Sequence, residues 1–251
     1  MSLHAVYFSP LDCALRFWDG YELKQEGLKK NEAMEFSAEK YCFGYNDGEK
    51  MRPCPMRAGG AKQCPVCAAR DIARMYTRLD YSGFESQYEK FRQQAFSVYL
   101  ASFGHLVKCG VTRSARLMDR VREQGADYFV EIGKAADAET AYAIETLLQQ
   151  NFALRNGLTS AQKMKLMNAD SPARITECVS KVKESALIED YEGEMQVKKL
   201  DYPVPQKFSE AIQLDGEILG CKGQILFFSK SGSDFGVNMS KKAGAFFTRA
   251  E

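Results

Sequence analysis

The chain has 251 residues, of which 45% are hydrophobic and 27% are charged, and its formal net charge at pH 7 is +1. This length allows one large or two small domains, each with its own core. The near-zero charge excludes a strongly basic protein, so any affinity for nucleic acid has to come from local clusters of positive side chains. No segment has the roughly 20 apolar residues of a membrane span, and we expect a cytoplasmic protein with reduced cysteines and no membrane partner.

The N-terminal part alternates between short apolar segments and polar turns, which predicts β-strands. The predicted strands within residues 5–45 are AVYFS, LRFW and AMEFSAE. The next stretch, GYNDGEKMRPCPMRAGGAKQCPVC, is rich in Gly, Pro and Cys and shows no periodicity, which predicts a loop-rich region. Residues 68–94 then follow a helical pattern with one interruption.

Four of the eight cysteines lie close together along this part of the chain: Cys42, Cys54, Cys64 and Cys67. Cys64 and Cys67 form a C-x-x-C turn, through which two thiolates can reach one metal ion. Four thiolates separated by glycine and proline predict a closed tetrahedral zinc site, in which the metal replaces a missing hydrophobic core. We interpret the zinc as structural, because no coordination position is left open for catalysis.

The sequence leaves alternatives open at this cluster. A C-x-x-C pair can be a redox motif, and Cys42, in a strand-like segment, can be an ordinary buried residue. In that case Cys13 or a histidine would be the fourth ligand. We interpret the four cysteines outside the cluster as small buried hydrophobic residues, namely Cys13, Cys109, Cys178 and Cys221.

The central segment, Ser97 to Asp127, reads SVYLASFGHLVKCGVTRSARLMDRVREQGAD. Two apolar runs around a glycine predict a β-hairpin, and the following residues predict a helix. We expect Phe103-Gly104 to be a two-residue turn. In this register Tyr99 lies opposite Lys108, and the hydroxyl and the ammonium group project from the same face of the sheet.

Charged side chains follow the hairpin at helical spacing. Arg113, Arg116 and Arg120 are three and four residues apart, which predicts one basic stripe on a helix. After a third strand, DYFVEIG, residues 137–155 predict an amphipathic helix with Glu145 away from its apolar face. We expect this carboxylate either to pair with the arginines or to anchor a divalent ion.

These elements predict an α+β protein. A small antiparallel sheet flanked by helices forms the centre, and strands from the N- and C-terminal parts form a β-rich unit that carries the zinc knuckle. The C-terminal strands are predicted in GEILGCKGQILFFSK, FGVNMS and AGAFFTR. The expected segments are 1–94 (strands, zinc knuckle and helix), 95–157 (central core), 158–190 (helical extension) and 191–251 (strands that pack with the N-terminal part).

The order of the central elements resembles the core of the GIY-YIG nucleases over about residues 97–156. The motifs are a strand with VYL, a turn, a strand with VKCG, a helix with arginine, a third strand, and a helix with A-x-x-I-E-x-x-L. The resemblance implies that Tyr99 activates or positions the attacking water. It also implies that Arg120, or Arg116 in a shorter register, steadies the transferring phosphate, and that Glu145 holds Mg²⁺ or Mn²⁺.

The second motif departs from the family pattern. Gly110 matches the family glycine that leaves no room for a side chain, whereas Lys108 stands where the family has a tyrosine. The resemblance therefore implies a metal-dependent endonuclease with a degenerate second motif and with Lys108 among its catalytic residues. We expect the substrate to be contacted by Arg113, Arg116 and His105.

A wider resemblance extends over nearly the whole chain. Val107–Arg113, Arg120–Ala126 and Gly220–Phe227 resemble the motifs of an uncharacterised prokaryotic family with a cysteine-rich N-terminal part and a GIY-YIG-like centre. Together, the cysteine cluster and the two resemblances predict a zinc-containing protein that binds the phosphodiester backbone of DNA or RNA. Such a protein could also cleave the backbone as an endonuclease. The alternative hypothesis is a protein-interaction or structural module without catalysis.

Overall fold

The structure is a computed structural model that describes residues 3–78, 80–185 and 193–249. Its strands are β1 (Leu3–Ser9), β2 (Ala14–Asp19), β3 (Glu22–Gly27), β4 (Asn31–Lys40), β5 (Tyr45–Asn46), β6 (Met51–Arg52), β7 (Phe96–Phe103), β8 (Leu106–Arg113), β9 (Tyr128–Ala135), β10 (Lys198–Lys199), β11 (Ser209–Ala211), β12 (Leu214–Lys222), β13 (Ile225–Lys230), β14 (Ser233–Asn238) and β15 (Ala245–Arg249). Its α-helices are α1 (Pro65–Arg70), α2 (Ala73–Arg78), α3 (Glu85–Arg92), α4 (Leu117–Gln124), α5 (Ala138–Phe152), α6 (Ser160–Lys165) and α7 (Ala173–Glu184).

The mixture of sheets and helices confirms the predicted α+β class. The chain forms two compact units, one made of Met1–Glu89 with Pro205–Glu251 and the other of Lys90–Val204. Among the described residues, no helix has both the length and the apolar character that a membrane crossing requires. We call the two units the terminal unit and the central unit.

The terminal unit is built on one sheet with the strand order β11-β14-β13-β12-β4-β15-β1-β2-β3. Strand β1 pairs with β15, with Leu3 opposite Phe247, so the two ends of the chain lie side by side in this sheet. The buried side chains of the sheet form one apolar cluster: Ala5, Phe8, Leu15, Phe17, Met34, Phe36, Leu214, Leu226, Phe228, Val237, Met239, Ala245 and Phe247. Strand β3 was not predicted, because an edge strand with the sequence ELKQEG carries almost no apolar side chains.

The central unit contains an antiparallel sheet with the order β10-β9-β7-β8. Strand β7 lies between β8 and β9, and all eight of its residues are buried. Helix α5 packs on this sheet through Ala138, Ala141 and Leu148, which are fully buried. A capping box formed by Thr159 and Gln162 starts helix α6.

The hairpin turn differs from the prediction. Its two central residues are Gly104 and His105, because Phe103 pairs with Leu106. Glycine suits the first position of such a turn, and Gly104 has a φ of +55°. The register therefore shifts by two residues, so that Gly110 and not Lys108 lies opposite Tyr99. Since side chains alternate between faces with a period of two, Tyr99 and Lys108 still share one face of the sheet.

The prediction of a single helical stripe of arginines is wrong. Arg113 is the last residue of β8 and pairs with Phe96 on β7. Arg116 ends a short 3-10 turn, and only Arg120 lies in α4. The three arginines fall on three different elements, because the strand continues further than the helical spacing suggested.

Candidate functional site

The four clustered cysteines of the terminal unit converge on one point. The Sγ atoms of Cys42, Cys54, Cys64 and Cys67 all lie within 4.8 Å of one another. The Sγ atoms of Cys54 and Cys64 are 3.9 Å apart, close to the edge of about 3.8 Å that a tetrahedral zinc with 2.3 Å bonds to sulfur requires. The predicted cluster is confirmed, and it could hold a metal ion such as zinc.

The backbone around the cluster explains this convergence. Cys42 follows β4, and its N–H donates to the carbonyl of Met56 at 2.8 Å. Cys64 directly precedes α1, and the Ala68 N–H donates to its carbonyl at 2.9 Å. Gly44 has a φ of +90°, and a Cβ there would stand 1.9 Å from the carbonyl oxygen of Arg52. A side chain at position 44 would therefore push apart the loop that joins Cys42 to Cys54.

Hydrogen bonds attach this loop to its surroundings within the terminal unit. The indole N–H of Trp18, on strand β2, donates to the carbonyl of Phe43 at 2.8 Å. The amide of Gln63 donates to the carbonyl of Gly44, also at 2.8 Å. The loop therefore has few internal apolar contacts but fixed ends, and the cysteines themselves, with Ala58, form its small core.

The electrostatics of the cluster favour a bound cation. The backbone N–H of Cys67 lowers the pKa of the Cys64 thiol to about 7. Burial raises the pKa of Cys42 and of Cys67, and neighbouring thiols raise that of Cys67 further. Deprotonating all four groups requires a nearby positive charge, which a dication supplies. Cys13, the alternative ligand, is not part of the cluster.

A second group of functional side chains lies in the central unit, around Tyr99. The Tyr99 ring is 1% exposed and packs over Gly110, where a Cβ would stand 2.7 Å from the ring. The predicted reason for glycine at this position therefore has a direct structural basis. The Tyr99 hydroxyl accepts a hydrogen bond from the Gln124 amide at 3.0 Å, and the charge of Arg120 lowers the pKa of the hydroxyl against the larger effect of burial.

Three of the predicted catalytic residues surround this phenol. The charges of Arg120 and Glu145 both act on the Tyr99 hydroxyl, and both act on the ammonium group of Lys108. The Lys108 ammonium lies 5.8 Å from the centre of the Tyr99 ring. The structure thus brings together Tyr99, Lys108, Arg120 and Glu145.

The same region contains a cation that the sequence analysis did not single out. Lys163, on α6, donates to the carbonyl of Gln124 at 2.7 Å and lies 4.4 Å from the centre of the Phe103 ring. Its charge interacts with those of Lys108 and Arg120. We call Lys108, Arg120 and Lys163 the cationic cluster. The capping box indicates where α6 begins, but no sequence signal shows that Lys163 reaches the end of α4.

Burial changes the proton affinities in this region. It lowers the pKa of Lys108 to about 8 and that of Lys163 to about 8, and the charge of Arg120 acts in the same direction on both. Burial also raises the pKa of Glu145, against the opposing effect of Lys108. The Tyr99 phenol has a raised pKa, again mainly because it is buried. Tyr99 is therefore protonated at neutral pH, and the positive charges repel each other.

Carboxylates are scarce around the cationic cluster. Arg120 lies 3.8 Å from Glu123, which has its shorter ion pair, 2.6 Å, with Arg116. In the described part of the chain, neither Lys108 nor Lys163 forms an ion pair within 4.0 Å, and Glu145 forms none either. The ion pair of Arg120 with Glu145 that the sequence left open is therefore not formed.

The predicted substrate-binding residues are more dispersed. Arg113 donates to the side-chain oxygen of Gln94 at 3.3 Å. Arg116 is exposed and directly precedes α4. His105 is exposed at the tip of the hairpin.

We predict about one zinc ion per chain by elemental analysis of the purified protein. Replacing Cys64 and Cys67 together by serine should remove the metal and lower the thermal stability, because the loop has little apolar core of its own. The matched control is Cys178→Ser, a buried cysteine outside the cluster, which should keep the metal. Zinc retained by the Cys64→Ser/Cys67→Ser protein would contradict the assignment.

The comparisons with known proteins reveal a family and no characterised relative. Neither a curated protein nor a solved structure matches the chain. The family described as "Protein of unknown function (DUF2797)" matches residues 33–245, a range that includes the four clustered cysteines and the cationic cluster. Since this match spans most of the sequence, the chain belongs to the DUF2797 family.

Proposed function

We propose that the cationic cluster of the central unit binds the phosphodiester backbone of a nucleic acid. Lys108, Arg120 and Lys163 interact with one another through their charges, and Glu145 is the only carboxylate that acts on Lys108 among the described residues. A bound anion would relieve the repulsion among the three cations, and phosphate oxygens suit both guanidinium and ammonium donors.

The positions of the side chains suggest separate roles. Arg120 is half exposed and belongs to a helix at the surface, so it can contact a phosphate directly. Tyr99 is too deeply buried to reach a polymer, and we assign it the role of positioning α4, and Arg120 with it, through the hydrogen bond that its hydroxyl accepts from Gln124. Lys163 is held by the carbonyl of Gln124, which fixes the ammonium group beside the other two cations.

Two further features support nucleic acid over other anions. The element order of the central unit, β7, β8, α4, β9 and α5, matches the order by which the sequence resembles the GIY-YIG nucleases, whose substrate is a phosphodiester. Arg116 lies four residues before Arg120 and is paired with Glu123 at 2.6 Å, and a neighbouring phosphate would take the place of this carboxylate. No base-reading motif is recognisable, and we infer binding to the backbone without marked sequence preference.

We predict that fluorescently labelled DNA or RNA oligonucleotides bind with an affinity that falls steeply with salt. Arg120→Ala should weaken binding roughly tenfold or more, since a charge-assisted hydrogen bond is lost. Lys163→Met should reduce the slope of log affinity against log salt by about 1. Fluorescence anisotropy at several salt concentrations measures both effects.

The matched controls are Arg122→Ala and Lys165→Met, exposed residues on the same two helices, α4 and α6. Both should bind like the parent protein, and thermal unfolding should show that all four variants are folded. Equal losses of binding affinity in the control and test variants would show that binding depends on general surface charge and not on the cationic cluster. Absence of binding to DNA and to RNA would overturn the proposed function and leave a protein-interaction module.

We predict a pH dependence of binding from the two lysines. Their pKa values of about 8 mean that Lys108 and Lys163 lose their charge as the pH rises from 7 to 9, whereas phosphodiesters stay charged throughout this range. Affinity should therefore fall as the pH rises. A Lys108→Arg/Lys163→Arg variant should bind almost independently of pH, since guanidinium remains protonated. A flat profile for the parent protein would contradict this assignment.

Metal-dependent cleavage is a second candidate function, favoured by the position of Glu145. Its carboxylate lies among Tyr99, Lys108 and Arg120 and forms no ion pair within the described residues. A single Mg²⁺ or Mn²⁺ at Glu145 could polarise a phosphate held by Arg120. Lys108 replaces the tyrosine of the second motif, and with a pKa of about 8 it can exchange a proton near neutral pH.

We predict that this activity appears as nicking of supercoiled plasmid DNA or cutting of RNA with Mg²⁺ or Mn²⁺, and that it disappears with a chelator. Glu145→Gln should abolish cleavage while oligonucleotide binding is retained, because only the metal ligand is lost. Equal cleavage by the parent and the Glu145→Gln protein would identify a contaminating nuclease and end the enzymatic candidate.

A further inference from the structure

Three lysines of the terminal unit converge on the end of strand β4 from three segments of the chain. Lys40 is the last residue of β4 and pairs with Ala245, the first residue of β15. Lys242 lies three residues before Ala245, in the turn that leads into β15. Lys62 adjoins the same end of β4, because its carbonyl accepts a hydrogen bond from the N–H of Phe43 at 3.2 Å. We call Lys40, Lys62 and Lys242 the terminal lysine surface.

Hydrogen bonds to main-chain carbonyls hold two of these ammonium groups in place. The Nζ atom of Lys40 donates to the carbonyl of Lys241, and the Nζ atom of Lys242 donates to the carbonyl of Ile212. Both side chains are half-buried, whereas Lys62 is exposed. An ammonium group has three N–H donors, so each anchored lysine keeps donors for a further acceptor.

The carboxylates next to this surface are paired with other cations. Glu210 lies 3.4 Å from the ammonium group of Lys241, and Glu39 lies 3.4 Å from the guanidinium group of Arg57. In the described part of the chain, none of the three lysines of the terminal lysine surface has an ion pair within 4.0 Å.

Other lysines of the same sheet carry their own counter-charge. Lys30 pairs with Glu217 at 3.1 Å, and Lys230 pairs with Asp215. The positive charge of these two side chains is thus neutralised locally, whereas that of the terminal lysine surface is not.

We propose that the terminal lysine surface is a second binding site for the phosphodiester backbone, separate from the cationic cluster, an inference that takes its partner from the proposed function. Phosphate oxygens would accept the N–H donors that the main-chain carbonyls leave free, and they would supply the missing counter-charge. Contacts of this kind add affinity without reading the base sequence.

The anchoring of the lysines favours a nucleic acid over an anionic lipid surface. Phosphates follow one another at a regular spacing along a nucleic acid, and ammonium groups held by main-chain carbonyls stand at set positions to meet them. The headgroups of a lipid surface are mobile and adapt to long, free lysine side chains, so they do not require such anchors.

The experiment measures the fluorescence anisotropy of labelled DNA and RNA oligonucleotides with the metal-loaded full chain at several salt concentrations. Lys40→Met/Lys242→Met should weaken binding roughly tenfold or more and reduce the slope of log affinity against log salt by about 1.5, because two phosphate contacts are lost. Lys62→Met removes an exposed charge and leaves both anchored lysines in place, and it should reduce the slope by about 1.

The matched control is Lys30→Met/Lys230→Met, which removes the same charge from lysines that already have a carboxylate partner. This control should bind like the parent protein. Lys40 and Lys62 each lie two residues from a cysteine of the metal cluster, so elemental analysis and thermal unfolding should show equal metal content and stability in all variants. Equal losses of affinity in Lys30→Met/Lys230→Met would overturn the inference, because binding would then depend on net charge alone.

Arg120→Ala, measured alongside, separates this site from the cationic cluster. Weaker binding by Arg120→Ala with parent-like binding by Lys40→Met/Lys242→Met and Lys62→Met would overturn the second site and leave the proposed function intact. Weaker binding by the lysine variants alone would support the second site and contradict the role of the cationic cluster. Absence of oligonucleotide binding by the parent protein would overturn both.

Vesicles of phosphatidylcholine with phosphatidylserine test the competing partner. We expect Lys40→Met/Lys242→Met to change oligonucleotide binding and to leave any vesicle binding unaltered. Vesicle binding that this variant abolishes, with oligonucleotide binding unchanged, would assign the terminal lysine surface to lipid headgroups and overturn the inference.

Discussion

The contact between the Tyr99 ring and the backbone of Gly110 is the constraint on which the central unit depends. The missing Cβ makes room for the hydroxyl end of the Tyr99 ring against strand β8, and all residues of strand β7 are buried. The hydroxyl of this ring accepts a hydrogen bond from Gln124 at the end of α4, and it lies within the influence of the Arg120 charge on the same helix. The packing of one ring thus couples the position of the helix to that of the sheet, and it places a guanidinium group beside Lys108.

Repulsion among the buried positive charges of the central unit destabilises the protein when no anion is bound. Lys108 and Lys163 are mostly removed from water and lie near Arg120, so each loses proton affinity. Such an arrangement costs free energy in the absence of a counter-charge, and clusters of this kind are typical of functional sites. Glu145 offsets part of the cost for Lys108. In the proposed function, the excess positive charge would favour a bound anion, and the half-exposed Arg120 would be the first of these cations to meet it.

In the terminal unit, cysteine side chains take the place of a hydrophobic core in one loop. Its sheet has an extensive apolar core, whereas the loop from Cys42 to Cys67 has a core made almost entirely of cysteine. A metal ion bound by four thiolates would stabilise the fold of this loop, as buried apolar side chains stabilise the sheet.

The sequence by itself determined the α+β class and the cluster of four cysteines, because local spacing carries both: apolar runs mark strands and helices, and a C-x-x-C turn fixes the distance between two thiols. It also singled out Tyr99 and Glu145 as candidate site residues through the order of their motifs. Only the tertiary structure decided the turn at Gly104, the separation of the arginines onto three elements, and the arrival of Lys163 beside Arg120. These features depend on strand register and on contacts between segments far apart in the chain, and no short stretch of sequence encodes such contacts.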